Sequence, residues 1–595
     1  MDTQRDNKPS SSFLLLSVLG GILFCLVFGF ALRDVPLEWY HERDDALITL
    51  SHAKNWVDYG FIGVNPSGGI VEGFSAPLSF LLYTFSYGLF GIDFSTHLQI
   101  QTWGCTFLLG FLCGQICRGN LLWTLICGLL LSRCGAFMMW HGSGMENALM
   151  HVLAGWIMWS ILNGEQKTNW KYALPFSIAM LIRVDGLYWI SPLFLLCLYT
   201  HRKYHSYRSL LQWFGIVLLP TIVLHICRWL YFGDWLPNTA YAQDIHILER
   251  LQQLITLQTD IWHYSIFLGF EIVLVHGSIL LFLTAPWFWI HRYQNTSRTL
   301  VLICITTLLV AFISPFLFGT ARLSFERLTT SLPVFIILCI VGLGSRYRSW
   351  SLSLVLGTVA LFPTLSVPMI TFGGLSLLPR HKQSLDWFSP KEICCSITPI
   401  KKLDQEIKTI TTRHALHRPM IAVPDVGYLT LSKEYNVIDL GKLAHPFLAR
   451  NKDPSALSTY FFEVIAPDIV ELHGDWLCMY QDSLLNDNRF DQMYEIVRSH
   501  IEPCPIGGSG LWVRKDILKD SRGQERELMM SMQPNITWQV FKTERDQCMT
   551  ETPSDCQYID RTIYLFTPEL LSLHPEQTDK IQQSVQRLWN YDDGA

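Results

Sequence analysis

Glu42-Arg43-Asp44-Asp45 sets three carboxylates within four residues, directly after the first long apolar run of the chain. Two adjacent aspartates at the start of Ala46-Leu47-Ile48 can do two kinds of work. In the structural reading, Asp44 caps the helix that follows and Asp45 favours its positive end. In the chemical reading, like charges held side by side raise one carboxyl pKa, and that carboxylate serves as a general base. A further carboxylate, Glu72, lies in Val71-Glu72-Gly73-Phe74, beyond the turn-rich stretch through Asn65-Pro66. Arg183 and Asp185 interrupt an otherwise apolar region, where charge marks either function or a mutual ion pair closing a helix hairpin. A guanidinium there matches the geometry of a phosphate. The aromatic loop Tyr231 to Tyr241 encloses Asp234 and Asn238, a set that suits a sugar or, more plainly, an interfacial anchor. Arg322, Glu326 and Arg327 leave a net positive charge at one junction, and His141 with Glu146 flanks the Gly142–Glu146 turn. The candidate catalytic residues are therefore Asp44 and Asp45, with Asp44 the first choice. The candidate binding residues are Arg183, Asp185, Arg327, Arg322, Asn238, Tyr241, Glu146, His141, Glu72 and Lys54.

Leu47, Leu50, Ala53 and Val57 recur at helical spacing with Lys54 and Asp58 between them, which predicts an amphipathic helix lying at an interface. Around it stand apolar runs of the length that crosses a hydrocarbon core. They fall at roughly 13–32, 76–93, 98–117, 121–139, 146–162, 171–182, 186–200, 209–230, 265–290, 299–319, 328–344 and 351–376. Lys/Arg-rich loops at His201–Arg208, His291–Arg298 and Arg346–Arg348 are assigned to the cytoplasm. Counting from them puts the Asp44-Asp45 segment, the Gly142–Glu146 turn, Arg183–Asp185, the Arg228–Trp262 loop, the Thr320–Arg327 turn and everything after about 377 on the outer face. Residues 76–140 hold three apolar runs where the count needs an even number, so one is re-entrant or two are merged. The runs 171–182 and 186–200 are short, and their polar junction fits a water-filled cavity.

Half of the 595 residues are hydrophobic and only 16% are charged, against about 25% in soluble domains. The N-terminal run reads as a retained span rather than a cleaved signal. The net charge of -5 points to neither nucleic acid nor an anionic surface as partner. Ten of sixteen cysteines lie in or beside apolar runs. The other six follow residue 390, where disulfides are open if the segment is extracytoplasmic, Cys548–Cys556 being a plausible loop. Cysteine and histidine spacing gives no metal motif, although an aspartate pair could take a divalent cation. From about 381 the chain is more charged, with strand-like runs at Met420–Val423, Tyr435–Leu440, Asp468–Leu472 and Leu511–Val513, the pattern of a small α/β domain.

The run Asp44-Asp45-Ala46-Leu47-Ile48, Ala53-Lys54-Asn55, Gly60, Asn65-Pro66 and Val71-Glu72-Gly73-Phe74-Ser75 resembles the N-terminal signature of bacterial GT-C glycosyltransferases. The nearest branch is that of the terminal β-(1→2) arabinofuranosyltransferases. The likeness continues in order through Gly144-Met145-Glu146, Arg183-Val184-Asp185-Gly186, Tyr231-Phe232-Gly233-Asp234 with Pro237-Asn238-Thr239, Arg327, Asp425-Val426-Gly427 and Val437–Gly441. Two departures stand out: Gln243 replaces a basic residue, and Phe-Ser-Ala-Pro-Leu-Ser-Phe replaces a Phe-Leu-Trp ending. The resemblance implies a polytopic α-helical membrane protein of about 11 transmembrane helices with a C-terminal extracytoplasmic α/β domain. It divides the chain into 1–380, with a first outer loop at 33–75, and 381–595.

The same resemblance implies an inverting transferase at the bacterial inner membrane that moves a sugar, a pentofuranose among the candidates, from a polyprenyl-phosphate donor. The acceptor would be an extracytoplasmic glycan, lipid or protein, with membrane lipids as further partners. Asp44 or Asp45 would be the base, Arg183 and Arg327 phosphate ligands, and Asn238 and Glu146 sugar or acceptor ligands. The alternatives are a transporter or flippase of lipid-linked saccharide, which the lack of internal repeats disfavours, and a scaffold whose tail binds cell-wall polymer.

Overall fold

The structure is a computed structural model. It describes residues 11–33, 42–64, 70–162, 170–183, 186–191, 207–242, 331–345, 397–432, 434–451, 453–501 and 508–519, with a few single positions between them. The helices of the N-terminal region are α1 (Ser11–Ala31), α2 (Asp44–Tyr59), α3 (Pro77–Phe90), α4 (Phe94–Ile116), α5 (Leu121–Arg133), α6 (Gly135–His141), α7 (Asn147–Leu162), α8 (Trp170–Ile182), α9 (Gly186–Trp189), α10 (Tyr207–Phe232), α11 (Asn238–Ala242) and α12 (Ser331–Gly344). Among the described residues, two helical segments, Ser11–Ala31 and Leu211–Phe232, are long and apolar enough to cross a membrane. Large apolar side chains remain exposed along these and neighbouring helices, among them Leu15, Leu26, Phe30, Leu219, Ile222 and Leu230. Runs of that kind are a surface that water does not favour. The expected spans at 265–290, 299–319 and 351–376 lie outside the described residues, as does the 380/381 boundary.

The bundle core is built from α1, α4, α5, α7, α8 and α12, through Phe24, Phe28, Leu109, Trp123, Leu153, Phe176, Phe335 and Leu338. Helix α2 does not join it. Leu47, Leu50 and Ala53 pack instead with Phe74, Phe80 and Tyr83, each large apolar side chain contributing about 1.5–3 kcal/mol when buried. Gly60, at φ 76, ends α2 by donating its N–H to the Trp56 carbonyl, the left-handed cap that glycine adopts at least cost. Asn55 holds the chain that follows, through the carbonyls of Gly63 and Val64. His52 donates Nδ1–H to Ile48 O and accepts the Gly73 N–H, so it is neutral; burial drives its pKa down to about 4. The 121–139 run is two helices rather than one, broken at Cys134.

After α13 (Thr398–Arg413) the chain forms five strands: β1 (Met420–Val423), β2 (Asn436–Asp439), β3 (Ile469–His473), β4 (Tyr494–Ile501) and β5 (Gly508–Arg514). They make one sheet in the order β2-β1-β3-β5-β4. β1 runs parallel to both β2 and β3, whereas β5 is antiparallel to β3 and to β4. The short helix α14 (Gly427–Leu431) follows β1, and α15 (Pro446–Arg450) follows β2. Ile421, Val423, Val437, Ile469 and Val513 fill one face with α13, and Phe461, Tyr480, Phe490 and Trp512 fill the other. Three of the expected strands match observed ones to within a residue at each end, and the fourth extends outward from Leu511–Val513 to Gly508–Arg514. β4 was not expected; it is an edge strand, with Ile496 and Val497 exposed.

Candidate active site

The first turn of α2 carries both aspartates, and they point to different surroundings. Arg43, not Asp44, occupies the N-cap position, and it makes no side-chain cap bond. Asp44 is buried and caps a different helix: its Oδ2 accepts the Gly427 N–H at 2.8 Å and its Oδ1 the Tyr428 N–H at 2.8 Å. It thus satisfies the start of α14 from 383 residues away. Burial and the nearby Asp425 carboxyl push Asp44 up to about 8, against those two N–H donors, with Asp45 adding a smaller upward push. The approach is close enough that a Cβ on Gly427 would lie 1.9 Å from the Asp44 carbonyl oxygen. Asp45, one residue on, is exposed.

Further clasps hold the α/β unit to the same loops. Lys401 of α13 pairs with Glu42 at 3.1 Å. Asn238 donates Nδ2–H to the carbonyls of Lys442 and Leu443, and its Oδ1 accepts from Arg450 at 2.7 Å. Arg450 also pairs with Asp234 at 2.8 Å and stacks over the Tyr241 ring. Glu72 takes Arg228 bidentately, at 2.5 and 2.8 Å, with both side chains buried. Its backbone carbonyl accepts the Asn238 N–H. A buried guanidinium–carboxylate fork of this kind fixes geometry. Glu72, Asn238 and Tyr241 therefore stand among protein partners, as does Lys54, which pairs with Asp58 one turn along α2.

On the bundle side, Arg183 at the end of α8 forms an ion pair with the buried Glu146. His141 is buried against Thr106 at 3.0 Å and His151 at 3.0 Å. Ala46, next to Asp45, packs with Met139, Trp140 and Met145. The first turn of α2 thus lies against α6 and the turn that leads to Glu146, whose partner Arg183 follows α8. Asp185, Arg322 and Arg327 lie outside the described residues. Among the described residues, no group of three or more His, Cys, Asp or Glu side chains could hold a metal ion.

The structure adds one group that the sequence did not single out. Asp425 follows β1 and pairs with His473 Nε2 at 3.2 Å, and His473 Nδ1 meets both oxygens of the buried Glu471 at 3.1 Å. Burial alone would lower this imidazole, but the hydrogen bonds to Asp425 and Glu471 outweigh it and hold the group up at about 10. The Asp425-Val426-Gly427 string was visible in the sequence; its histidine and glutamate partners, far along the chain, were not. Arg228 and Arg450 were likewise unsignalled.

No family model matches the chain, and no characterised protein matches its sequence. Among solved structures it is similar to the crystal structure of ArnT from Cupriavidus metallidurans bound to undecaprenyl phosphate. The identity is 10% and the TM-score 0.46, over 83% of this chain and 97% of that chain. That overlap is too loose to assign fold or chemistry, and both rest on the elements and side chains described above.

Proposed function

We propose that this chain is a polytopic membrane glycosyltransferase of the GT-C kind, transferring a sugar from a polyprenyl-phosphate donor to an extracytoplasmic hydroxyl. One observation carries the reading. The first turn of α2 packs through Ala46 against the Met139–Met145 segment that leads to Glu146 and its partner Arg183, and of its two carboxylates Asp44 is buried in docking while Asp45 is exposed. Asp45 is therefore the base. The ordered resemblance over most of residues 40–445 to GT-C sequences supports the same class, and the arabinofuranosyl branch remains the finer part of the proposal.

In this mechanism the acceptor hydroxyl attacks the anomeric carbon and the C–O bond to the donor phosphate breaks. The phosphate leaves with the electron pair, and Asp45 takes the hydroxyl proton, inverting the centre. Arg183, held by Glu146, is the guanidinium assigned to the leaving phosphate, whose geometry its fork matches. Apolar faces on α1 and α10 lie in the bilayer with the prenyl chain. Helix α3, 14 residues long, reaches only about 21 Å, short of the roughly 30 Å hydrocarbon core. Helix α5, 13 residues before the break at Cys134, is shorter still, so one of these two runs is taken as the non-crossing one of 76–140, which leaves an even count with Asp45 and Glu146 on one face. Cys478 is disulfide-bonded, which fits an oxidising compartment outside the cytoplasm for the α/β unit. The test is sugar release from polyprenyl-phosphate pentoses and hexoses by the purified chain in lipid nanodiscs. Consumption of one donor supports the reading, and inertness to all of them refutes it.

A further inference from the structure

The Asp425–His473–Glu471 row has no part in the docking contacts, yet it sits beside them. Asp425 is two residues from Gly427, whose N–H binds Asp44, and its carboxyl lies near enough to act on that of Asp44, so the row borders the junction of α2 and α14. Its position in the sheet is informative. The chain leaves β1 towards β2 on one side and later returns as β3 on the other, and Asp425 and His473 stand at the carboxyl ends of β1 and β3. That crevice, where the strand order reverses, is where open parallel sheets receive ligands. The three residues form a graded series. Glu471 is buried at 3% exposure and anchors the ring. His473 bridges through both nitrogens, and Asp425, with 39% of its side chain exposed, faces the junction.

We propose that Asp425, oriented by His473 and Glu471, binds a hydroxyl of the acceptor, so that the acceptor site is completed by the α/β unit docked on α2. The inference rests on the transferase reading and names its acceptor side. Both imidazole nitrogens are spent on carboxylates, which leaves Asp425 as the group that meets ligand and His473 as a positioning residue. A carboxylate in this place accepts hydrogen bonds, and the three carboxylates Asp45, Asp425 and Glu471 outnumber the two cations set against them, the His473 imidazolium and Arg498, which lies 3.8 Å from Glu471. The junction therefore suits a neutral polyol and repels an anionic one. The donor phosphate belongs on the Arg183 side, so the two substrates are sorted by charge.

The test is equilibrium binding, which needs neither donor nor turnover. The full chain in lipid nanodiscs is titrated with neutral pentofuranose and hexopyranose oligosaccharides and with an oligouronate as the anionic counterpart. Asp425→Asn is expected to weaken neutral-oligosaccharide binding about tenfold or more, the factor carried by a hydrogen bond to a charged group, and Asp425→Glu to restore part of it. His473→Gln is expected to weaken binding in the wild-type background but not alongside Asp425→Asn, because its effect passes through Asp425. Unchanged affinity in Asp425→Asn, absence of any neutral-oligosaccharide binding by the wild type, or tighter binding of the oligouronate overturns the proposal. So does a His473→Gln effect of the same size in both backgrounds. A chain that binds oligosaccharide through Asp425 yet consumes no lipid-linked donor refutes the transferase reading instead.

Discussion

Replacing Asp44 with alanine separates its docking role from a catalytic one. In the structure its two oxygens are the acceptors for the Gly427 and Tyr428 N–H groups, in a buried position. Leaving a buried donor unpaired costs about 1–3 kcal/mol, so two cost about 2–6 kcal/mol. Removing the carboxyl also relieves its own burial next to Asp425, the cause of its raised pKa, which brings the expected net loss to about 2–4 kcal/mol. That loss falls on the contact between α2 and α14 and speeds opening of the two amides by about 30-fold to 900-fold. Hydrogen exchange read by mass spectrometry over 425–431 measures it directly. Asp44→Asn keeps one acceptor oxygen and is expected to show about half the free-energy loss. Wild-type exchange at Gly427 and Tyr428 in Asp44→Ala would refute the reasoning, because a carboxylate held only for chemistry has no claim on those amides.

Other expectations follow from the same contacts. Gly427→Ala puts a methyl 1.9 Å from the Asp44 carbonyl and is expected to undock α14, seen as exchange at least as fast as in Asp44→Ala. Gly60→Ala meets open space at φ 76 and is expected to cost only about 1 kcal/mol in thermal unfolding. Asp44, raised from 3.8 to about 8, and His473, raised from 6.5 to about 10, both hold protons more tightly when folded. Their stabilisation is complete below pH 4 and pH 6.5 respectively and is lost as pH rises through 8 and 10. Protection of 425–431 should therefore fall from pH 6 to pH 9, less steeply in Asp44→Asn; protection that rises with pH contradicts the assignment. Glu72→Ala strands the buried Arg228 and is expected to destabilise by about 3–5 kcal/mol, with a lowered unfolding temperature as the readout.

Local pattern carried much of the architecture. Short apolar runs located β1, β2 and β3 closely, because these strands are buried on both faces of the sheet, and the helical spacing of Leu47, Leu50 and Ala53 located α2. β4 escaped because Tyr494–Ile501 mixes Glu495, Arg498 and His500 into an edge strand whose outer face needs no apolar residues. The break at Cys134 falls at Ser132-Arg133-Cys134-Gly135, a short polar and glycine interruption that the apolar residues beyond it on both sides overrode. In the site, types were legible but partners were not. Asp44 reads as a helix cap and is one, but for a helix 383 residues away. Asn238 reads as a sugar ligand but is held by Lys442, Leu443 and Arg450. Only tertiary contact shows that Glu72 belongs with Arg228, or that His473 bridges Asp425 to Glu471.

The account turns on which of two adjacent carboxylates takes the proton. Single-turnover sugar transfer by Asp45→Asn and Asp44→Asn, with donor binding measured alongside, tests it most directly. The account predicts that Asp45→Asn loses about a hundredfold to ten-thousandfold in rate, the usual contribution of a general base, with donor affinity kept. Asp44→Asn should lose about tenfold or less, through weakened docking alone. Wild-type turnover in Asp45→Asn together with an inactive, fully docked Asp44→Asn would contradict it.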